Sequence, residues 1–137
     1  MVQALVVDYY GVLDSADEDV RRWRNVFTAA RAAGMSTAIL SADPTGAAAD
    51  KIREWEYRGV VDAVVLSGEL SEEKHDTAAF QEVADALGVT VRECVLVDDS
   101  IVNIHAAVEL GMIGVYYQQF DRAIVEITGL LGLEGDF

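Results

Sequence analysis

The sequence predicts a three-layer α/β fold, in which a mostly parallel, doubly wound sheet of the Rossmann-like type is covered by helices on both faces. Two observations carry this prediction. Short apolar runs recur along the chain and are continuous rather than alternating, which is typical of strands buried on both faces. Segments with helical spacing separate the runs, and this alternation, repeated five times, requires parallel strands joined by crossover helices.

Each predicted strand is a short run of mainly aliphatic residues, and several are rich in Val and Ile. β-branched residues of this kind fit the surface of a buried sheet. The five predicted strands are Ala4–Val7, Thr37–Leu40, Val60–Leu66, Cys94–Val97 and Ile113–Tyr117.

The predicted helices carry apolar residues three or four positions apart, so that each has one apolar face. A glycine follows each of these segments, where a left-handed closing residue is expected. The apolar positions are Val20, Trp23, Val26 and Phe27 within Asp17–Ala33; Ile52 and Trp55; Phe80, Val83 and Leu87; and Ile104, Val108 and Leu110 within Ile101–Leu110, and the closing residues are Gly34, Gly59, Gly88 and Gly111.

Length, charge and cysteine content limit the class of protein. A chain of 137 residues fits one domain, spanning residues 1–137. Its 10 basic and 24 acidic residues give a formal charge of -14, which argues against nucleic acid or an anionic membrane as partner. The single Cys94 suits a buried thiol in a reducing compartment, and we find no secretion or membrane signal. We therefore expect a soluble, cytoplasmic protein.

Polar residues follow the predicted strands, at the sheet edge where such folds bind ligands. Asp8 and Tyr10 follow the first strand, Ser41 the second, and Asp98 and Asp99 the fourth. The carboxyl ends of parallel strands meet at one edge, so Asp8, Asp98 and Asp99 are expected to lie together. Their like charges call for a cation, and hard oxygen ligands of this kind suit Mg²⁺. From these three residues alone, a metal site and a chance cluster in an acidic chain are equally good interpretations.

Ser41 and Lys74 each allow two interpretations from the residues alone. Ser41 offers a hydroxyl beside backbone N–H groups that would hold an anionic oxygen, but it also resembles a turn or helix-capping residue. Lys74 lies in the loop after the third strand, where it would neutralise a phosphoryl group. The acidic residues around Lys74 favour a solvated lysine instead.

In chain order, these residues resemble the four sequence motifs of the haloacid dehalogenase superfamily. Asp8 and Gly11 follow a strand, Ser41 follows the next, Lys74 lies in a loop, and VLVDDS precedes a helix. The resemblance covers residues 4–117, and the segment CVLVDDSIVNIHAAVELGM is similar to the phosphatase-type subgroup that includes the amino-terminal domain of soluble epoxide hydrolases. It implies the α/β core of that superfamily, here without a cap domain, because only short connections follow the first and third strands.

The resemblance implies a Mg²⁺-dependent phosphatase that works through an aspartyl-phosphate, a covalent intermediate that divides one difficult displacement into two. Asp8 would be the nucleophile and a metal ligand, and Ser41 would hold a phosphoryl oxygen. Lys74 would orient Asp8 and offset the charge that builds up during transfer. Asp99 would be the principal metal ligand of the fourth motif, and Asp98 a second ligand or a partner of metal-bound water.

Tyr10 departs from the phosphatase pattern, which has a second aspartate at this position. In the family, that residue supplies a backbone carbonyl to the metal and a carboxylate that serves as general acid and base. Tyr10 keeps the carbonyl and is therefore included among the metal ligands, but a phenol is a poor base at neutral pH. General acid-base catalysis contributes ~10²–10⁴-fold to the rate, so we expect a slow phosphatase.

The sequence is also compatible with two other functions. A non-catalytic binding or regulatory module would keep the fold while Tyr10 marks lost chemistry; the phosphatase is favoured because decay would more often erode Asp8, Lys74 or Asp99. A 2-haloacid dehalogenase is the third hypothesis, because members of that group also carry tyrosine at this position. They have Ser and Asn in place of the aspartate pair at 98 and 99, and they need a cap domain.

The absence of a cap also bears on the expected partners. An uncapped site is open to water and admits large substrates. By analogy with capless relatives, we expect a phosphorylated small molecule or protein as substrate, and a homo-oligomer as one arrangement of the chain.

Overall fold

The apolar runs pair side by side into one parallel sheet, as their continuous hydrophobicity predicts. The computed structural model describes residues 1–41, 46–66 and 77–137. The strands are β1 (Ala4–Asp8), β2 (Ser36–Ser41), β3 (Ala63–Leu66), β4 (Cys94–Asp98) and β5 (Ile113–Tyr116), and their spatial order is β3-β2-β1-β4-β5. Every residue of β4 is buried, as expected for a strand that is covered on both faces.

Helices cover both faces of this sheet and complete the predicted three layers. They are α1 (Asp17–Ala32), α2 (Gly46–Tyr57), α3 (Thr77–Leu87), α4 (Ile101–Leu110) and α5 (Phe120–Leu131). One core joins the sheet to α1, α2 and α5 and contains Trp23, Phe27 and Ile127, whereas a second core joins it to α3 and α4 through Phe80 and Ile104. The glycines predicted to close the first four helices all have positive φ angles.

Most element boundaries agree with the sequence prediction to within one residue, and the start of the third strand differs by more. The third strand begins at Ala63 rather than Val60, because the N–H groups of Val60 and Val61 donate to the carbonyl of Trp55 and so close α2. The fifth strand ends one residue earlier than predicted. The fifth helix, for which the sequence pattern named no residues, is α5, and it packs its apolar face against the sheet.

The connection from β1 to α1 is short, as the sequence predicts. Residues 9–16 form a wide turn in which the N–H of Asp14 donates to the carbonyl of Tyr9 at 3.1 Å. No cap domain is inserted at this point of the fold. The second connection predicted to be short contains Lys74 and lies outside the described residues.

Burial of the single cysteine agrees with its expected role as a core thiol. Cys94 begins β4 with no exposed surface, and burial raises the pKa of its thiol to about 11. Within residues 1–41, 46–66 and 77–137, no helix has the length and apolar character needed to cross a membrane.

The order of the strands reverses between β1 and β4, and this point positions the candidate site. β1 pairs with β2 on one side and with β4 on the other, all in parallel. The register places Val7 beside Val97, so the residues that follow them, Asp8 and Asp98, end neighbouring strands. A crevice at such a reversal, outside the carboxyl ends of the strands, is where folds of this class bind ligands.

Candidate active site

Three carboxylates meet where β1 and β4 end. Asp8 is the last residue of β1, Asp98 is the last residue of β4, and Asp99 follows it. One carboxylate oxygen from each of the three lies within 4.8 Å of the other two. The structure therefore brings together the three aspartates that the sequence predicted to converge.

Asp98 is held in place by the start of α4. Its side chain is only 3% exposed; one carboxylate oxygen accepts a hydrogen bond from the N–H of Ser100 at 2.9 Å, and the other accepts one from Nδ2 of Asn103 at 3.1 Å. The hydroxyl of Ser100 also accepts a hydrogen bond from the N–H of Asn103 at 3.2 Å and so caps the helix. Both oxygens of Asp98 are therefore engaged, whereas Asp99 is exposed beside it.

Asp99 lies directly against Gly11 in the turn after β1. Gly11 has a φ of +84°, and a Cβ atom built on it would lie 2.0 Å from Oδ2 of Asp99. The N–H of Gly11 donates to Oδ1 of Asp14 at 2.7 Å, which fixes the turn from its other end. Glycine is thus required here both for its backbone conformation and for the close approach of Asp99.

Electrostatics at the cluster favour a bound cation. Burial, followed by the charges of Asp98 and Asp99, raises the pKa of Asp8 to about 8. Burial also raises the pKa of Asp98, although the hydrogen bonds from Ser100 and Asn103 oppose this shift. Three ionised carboxylates this close would repel one another, and a bound cation would offset the repulsion. Their oxygen atoms are a donor set that fits Mg²⁺.

The other predicted site residues have different surroundings. Tyr10 lies on the turn after Asp8 and is 42% exposed, and its ring is in edge-to-face contact with that of Tyr9 at 5.1 Å between ring centroids. Ser41 is fully buried as the last residue of β2. Lys74 lies outside the described residues, so its predicted position beside Asp8 stays a prediction.

Two supporting residues were not assigned a role from the sequence alone. Asp14 holds the amide of Gly11, and Asn103 holds the carboxylate of Asp98. The sequence contains a pattern for each: an aspartate three residues after a turn glycine, and an asparagine three residues after a capping serine. Both spacings are common in ordinary turns and caps, so neither would have pointed to this site by itself.

Solved structures share the architecture of this chain. An uncharacterized protein from Corynebacterium glutamicum is 61% identical, with a TM-score of 0.96, and the match covers 100% of both chains. An enzyme of the haloacid dehalogenase (HAD) family from Bacteroides thetaiotaomicron, solved in complex with magnesium and inorganic phosphate, is 15% identical, with a TM-score of 0.61. That match covers 86% of this chain and 95% of the other. At this lower identity the similarity concerns the fold alone.

Sequence comparisons identify the family. A haloacid dehalogenase-like hydrolase domain-containing protein of Arabidopsis thaliana is 29% identical over 86 residues, which are 61% of this chain and 27% of that relative. The chain thus spans about a quarter of the length of this relative. The model of the haloacid dehalogenase-like hydrolase family matches residues 2–111. Since this match includes β1, β4 and the three converging aspartates, the chain belongs to the haloacid dehalogenase-like hydrolase family.

Proposed function

We propose that this protein is a Mg²⁺-dependent phosphomonoester phosphatase that acts through an aspartyl-phosphate on Asp8. The observation that carries the proposal is the cluster of Asp8, Asp98 and Asp99, whose carboxylate oxygens lie within 4.8 Å of one another at the strand reversal. The magnesium and inorganic phosphate in the Bacteroides enzyme of the same fold support this choice of ligands. The substrate would be a phosphorylated small molecule or protein that reaches an uncapped site.

The chain's own residues divide the reaction into two displacements. A carboxylate oxygen of Asp8 attacks phosphorus, and the bond from phosphorus to the leaving-group oxygen breaks. Water then attacks the aspartyl-phosphate at phosphorus, which releases inorganic phosphate and restores Asp8. Ser41 would hold a phosphoryl oxygen, and Lys74 would orient Asp8, as the family resemblance implies.

Asp8, Asp98, Asp99 and the carbonyl of Tyr10 would hold the metal. Mg²⁺, when bound, offsets the negative charge of the carboxylates and of the phosphoryl oxygens. Asp98 is already fixed by its hydrogen bonds to α4, and the contact with Gly11 places Asp99 beside the turn. These carboxylates are therefore in position before substrate binds. Charged groups that are already in position stabilise a transition state without the cost of rearranging during the reaction.

Because of Tyr10, the rate of the proposed reaction should depend strongly on the leaving group of the substrate. A carboxylic acid is missing at position 10, and in the part of the chain that the structure describes, Asp98 and Asp14 are engaged in fixing α4 and the turn. The leaving group would therefore depart as an anion, which favours aryl and acyl phosphates over alkyl phosphates.

The test is Mg²⁺-dependent release of phosphate from a series of aryl phosphates and from an alkyl phosphate. We expect a rate that falls steeply as the leaving group becomes more basic, and no release by an Asp8→Asn variant. A well-folded parent protein that turns over no member of a broad phosphate panel would contradict the phosphatase assignment.

Restoring a carboxylate at position 10 should increase the rate. For a Tyr10→Asp variant we expect turnover of an alkyl phosphate to rise by ~10²–10⁴-fold, because a general acid can then protonate the leaving oxygen. A Tyr10→Asn variant is the matched control, since it has nearly the same shape as the aspartate variant but no acid, and it should show no such gain. Steady-state rates at saturating Mg²⁺ measure both.

The same variant separates the second candidate function from the first. The second candidate is a non-catalytic binding or regulatory module, and the presence of Tyr10 supports it because this residue replaces the family's general acid and base. Activity that is absent from the parent and appears in Tyr10→Asp would support that module. An active parent would exclude it, whether or not the change increases the rate further. The dehalogenase hypothesis fails if 2-chloropropionate yields no halide.

A further inference from the structure

The stretch from α4 to the end of β5 is nearly uncharged in a strongly acidic protein. About a quarter of the chain is charged, yet residues 101–119 contain only one such side chain, that of Glu109. This stretch also holds five of the nine large apolar side chains that are exposed in the described residues: Ile101, Val102, Val108, Ile113 and Tyr116. Concentrated apolar surface without charge is typical of the core of a protein interface.

These side chains border an open edge of the sheet. β5 is the last strand in the spatial order, and in the described part of the chain it pairs with β4 alone. A Cβ atom on Gly114 would lie 3.1 Å from Cγ2 of Val108, so α4 packs closely on β5 and brings Val108 beside this edge. Ile101 lies seven residues before Val108 and shares its stripe of the helix.

The strip formed by Ile101, Val108, Ile113, Tyr116 and the backbone of β5 is here named the β5 edge surface. The sequence pattern placed Val108 on the buried face of its helix, but the structure leaves it 51% exposed. Proteins usually protect a free strand edge with a lysine, a proline or an inward charge, and β5, with the sequence IGVY, has none of these.

We propose that a second copy of this chain covers the β5 edge surface, with the two β5 strands paired antiparallel about a two-fold axis. A strand edge is complementary to its own copy under such a rotation, because both strands then exchange N–H and carbonyl groups. The inference concerns assembly and is independent of the phosphatase proposal.

Charge favours a second copy over a basic partner at this surface. Each chain carries a formal charge of -14, so two copies repel wherever their acidic surfaces meet. The side chains of the β5 edge surface are themselves uncharged, although Asp121, Arg122 and Glu126 of α5 lie beside Tyr116, so this repulsion is weakest there. A basic partner would gain nothing from this strip and would bind the acidic surfaces instead. Of the 19 residues from 101 to 119, 14 are at least partly exposed, and residues of α5 beside Tyr116 extend this surface towards the ~20–30 residues that a stable interface uses on each side.

The experiment measures the mass of the full chain in solution by sedimentation equilibrium or light scattering. We expect a species of twice the 14.9 kDa chain mass, and tighter association at ~500 mM than at ~20 mM salt because salt screens the repulsion. Ile113→Lys and Val108→Lys should each weaken association by about tenfold or more, since a two-fold axis brings the new charges close together. Tyr57→Lys is the matched control, because Tyr57 is 75% exposed on α2, away from this strip.

Circular dichroism and thermal melts establish that each variant is folded. Loss of the dimer in the two edge variants, but not in Tyr57→Lys, supports the proposal. Interfaces of standard size have dissociation constants in the micromolar range or below, so a parent that stays monomeric at ~100 μM would overturn the proposal. A dimer that persists unchanged in both folded edge variants would overturn it equally.

Discussion

Replacing Asp8 by asparagine is expected to raise the unfolding midpoint of the metal-free protein at pH 8 by roughly 5–10 °C, which corresponds to about 2 kcal/mol in a domain of this size. Burial and the charges of Asp98 and Asp99 raise the pKa of Asp8 to about 8, so its ionised form destabilises the fold. Asparagine keeps the size of the side chain and removes this charge. Thermal melts in a chelator measure the effect.

The pH dependence of this difference has a defined sign. The pKa of Asp8 is higher in the folded protein than its ordinary value of 3.8, so the protonated carboxyl contributes stability that is complete below about pH 4. This contribution is lost as the pH rises through about 8. The advantage of Asp8→Asn should therefore grow from pH 4 to pH 8, and added Mg²⁺ should stabilise the parent more than the variant.

An exposed aspartate provides the control for this experiment. Asp50→Asn makes the same chemical change on the surface of α2 and should not reproduce the gain at pH 8. If Asp8→Asn and the parent have the same unfolding midpoint at pH 8 in chelator, the ionised form of Asp8 does not destabilise the metal-free fold. A difference that grows towards pH 4 would contradict the assigned sign.

Replacing Gly11 by alanine is expected to weaken Mg²⁺ binding by ~10–100-fold, the range typical of lost support around a metal ligand. The new Cβ would lie 2.0 Å from Oδ2 of Asp99 and must displace that carboxylate or the turn. The φ of +84° adds strain of roughly 1–2 kcal/mol for a residue with a side chain. The Mg²⁺ concentration that half-maximally stabilises the protein against heat measures the change.

Gly34→Ala separates the two effects of this substitution. Gly34 has a φ of +91°, but a Cβ atom there would have no atom within 4 Å. This variant should lose stability through backbone strain while keeping the parent's response to Mg²⁺. A Gly11→Ala protein with a normal response would show that contact with Asp99 does not organise the metal site.

The convergence of the aspartates was predictable from the sequence because it follows from topology. Asp8 and Asp98 each end a continuous apolar run, and parallel strands place such ends at one edge whatever the distance along the chain. The start of β3 was not predictable in the same way. Val60 and Val61 have strong β propensity, yet their N–H groups close α2, so a tertiary arrangement overrides local preference.

The contacts that support the site could not be predicted from the spacing of residues along the sequence. The sequence identifies Gly11 only as a residue that follows the first strand, whereas its close approach to Asp99 joins two segments that are far apart in the chain. Similarly, the helical pattern of α4 correctly placed Ile104 in the core but put Val108 there as well. Val108 is exposed because α4 lies over β5, and in the part of the chain that the structure describes no strand lies beyond β5 to cover this side.

The hydrogen bonds of Asp98 have a consequence for how the site tolerates substitution. Asp98 carries a charge at the site and also ties down Ser100 and Asn103 at the start of α4, so losing it would damage the chemistry and the fold together. Tyr10 lies exposed on a turn, where an exchange of side chain leaves the packing of the sheet intact. A substitution at position 10 can therefore change the reaction that the site supports while the protein remains folded.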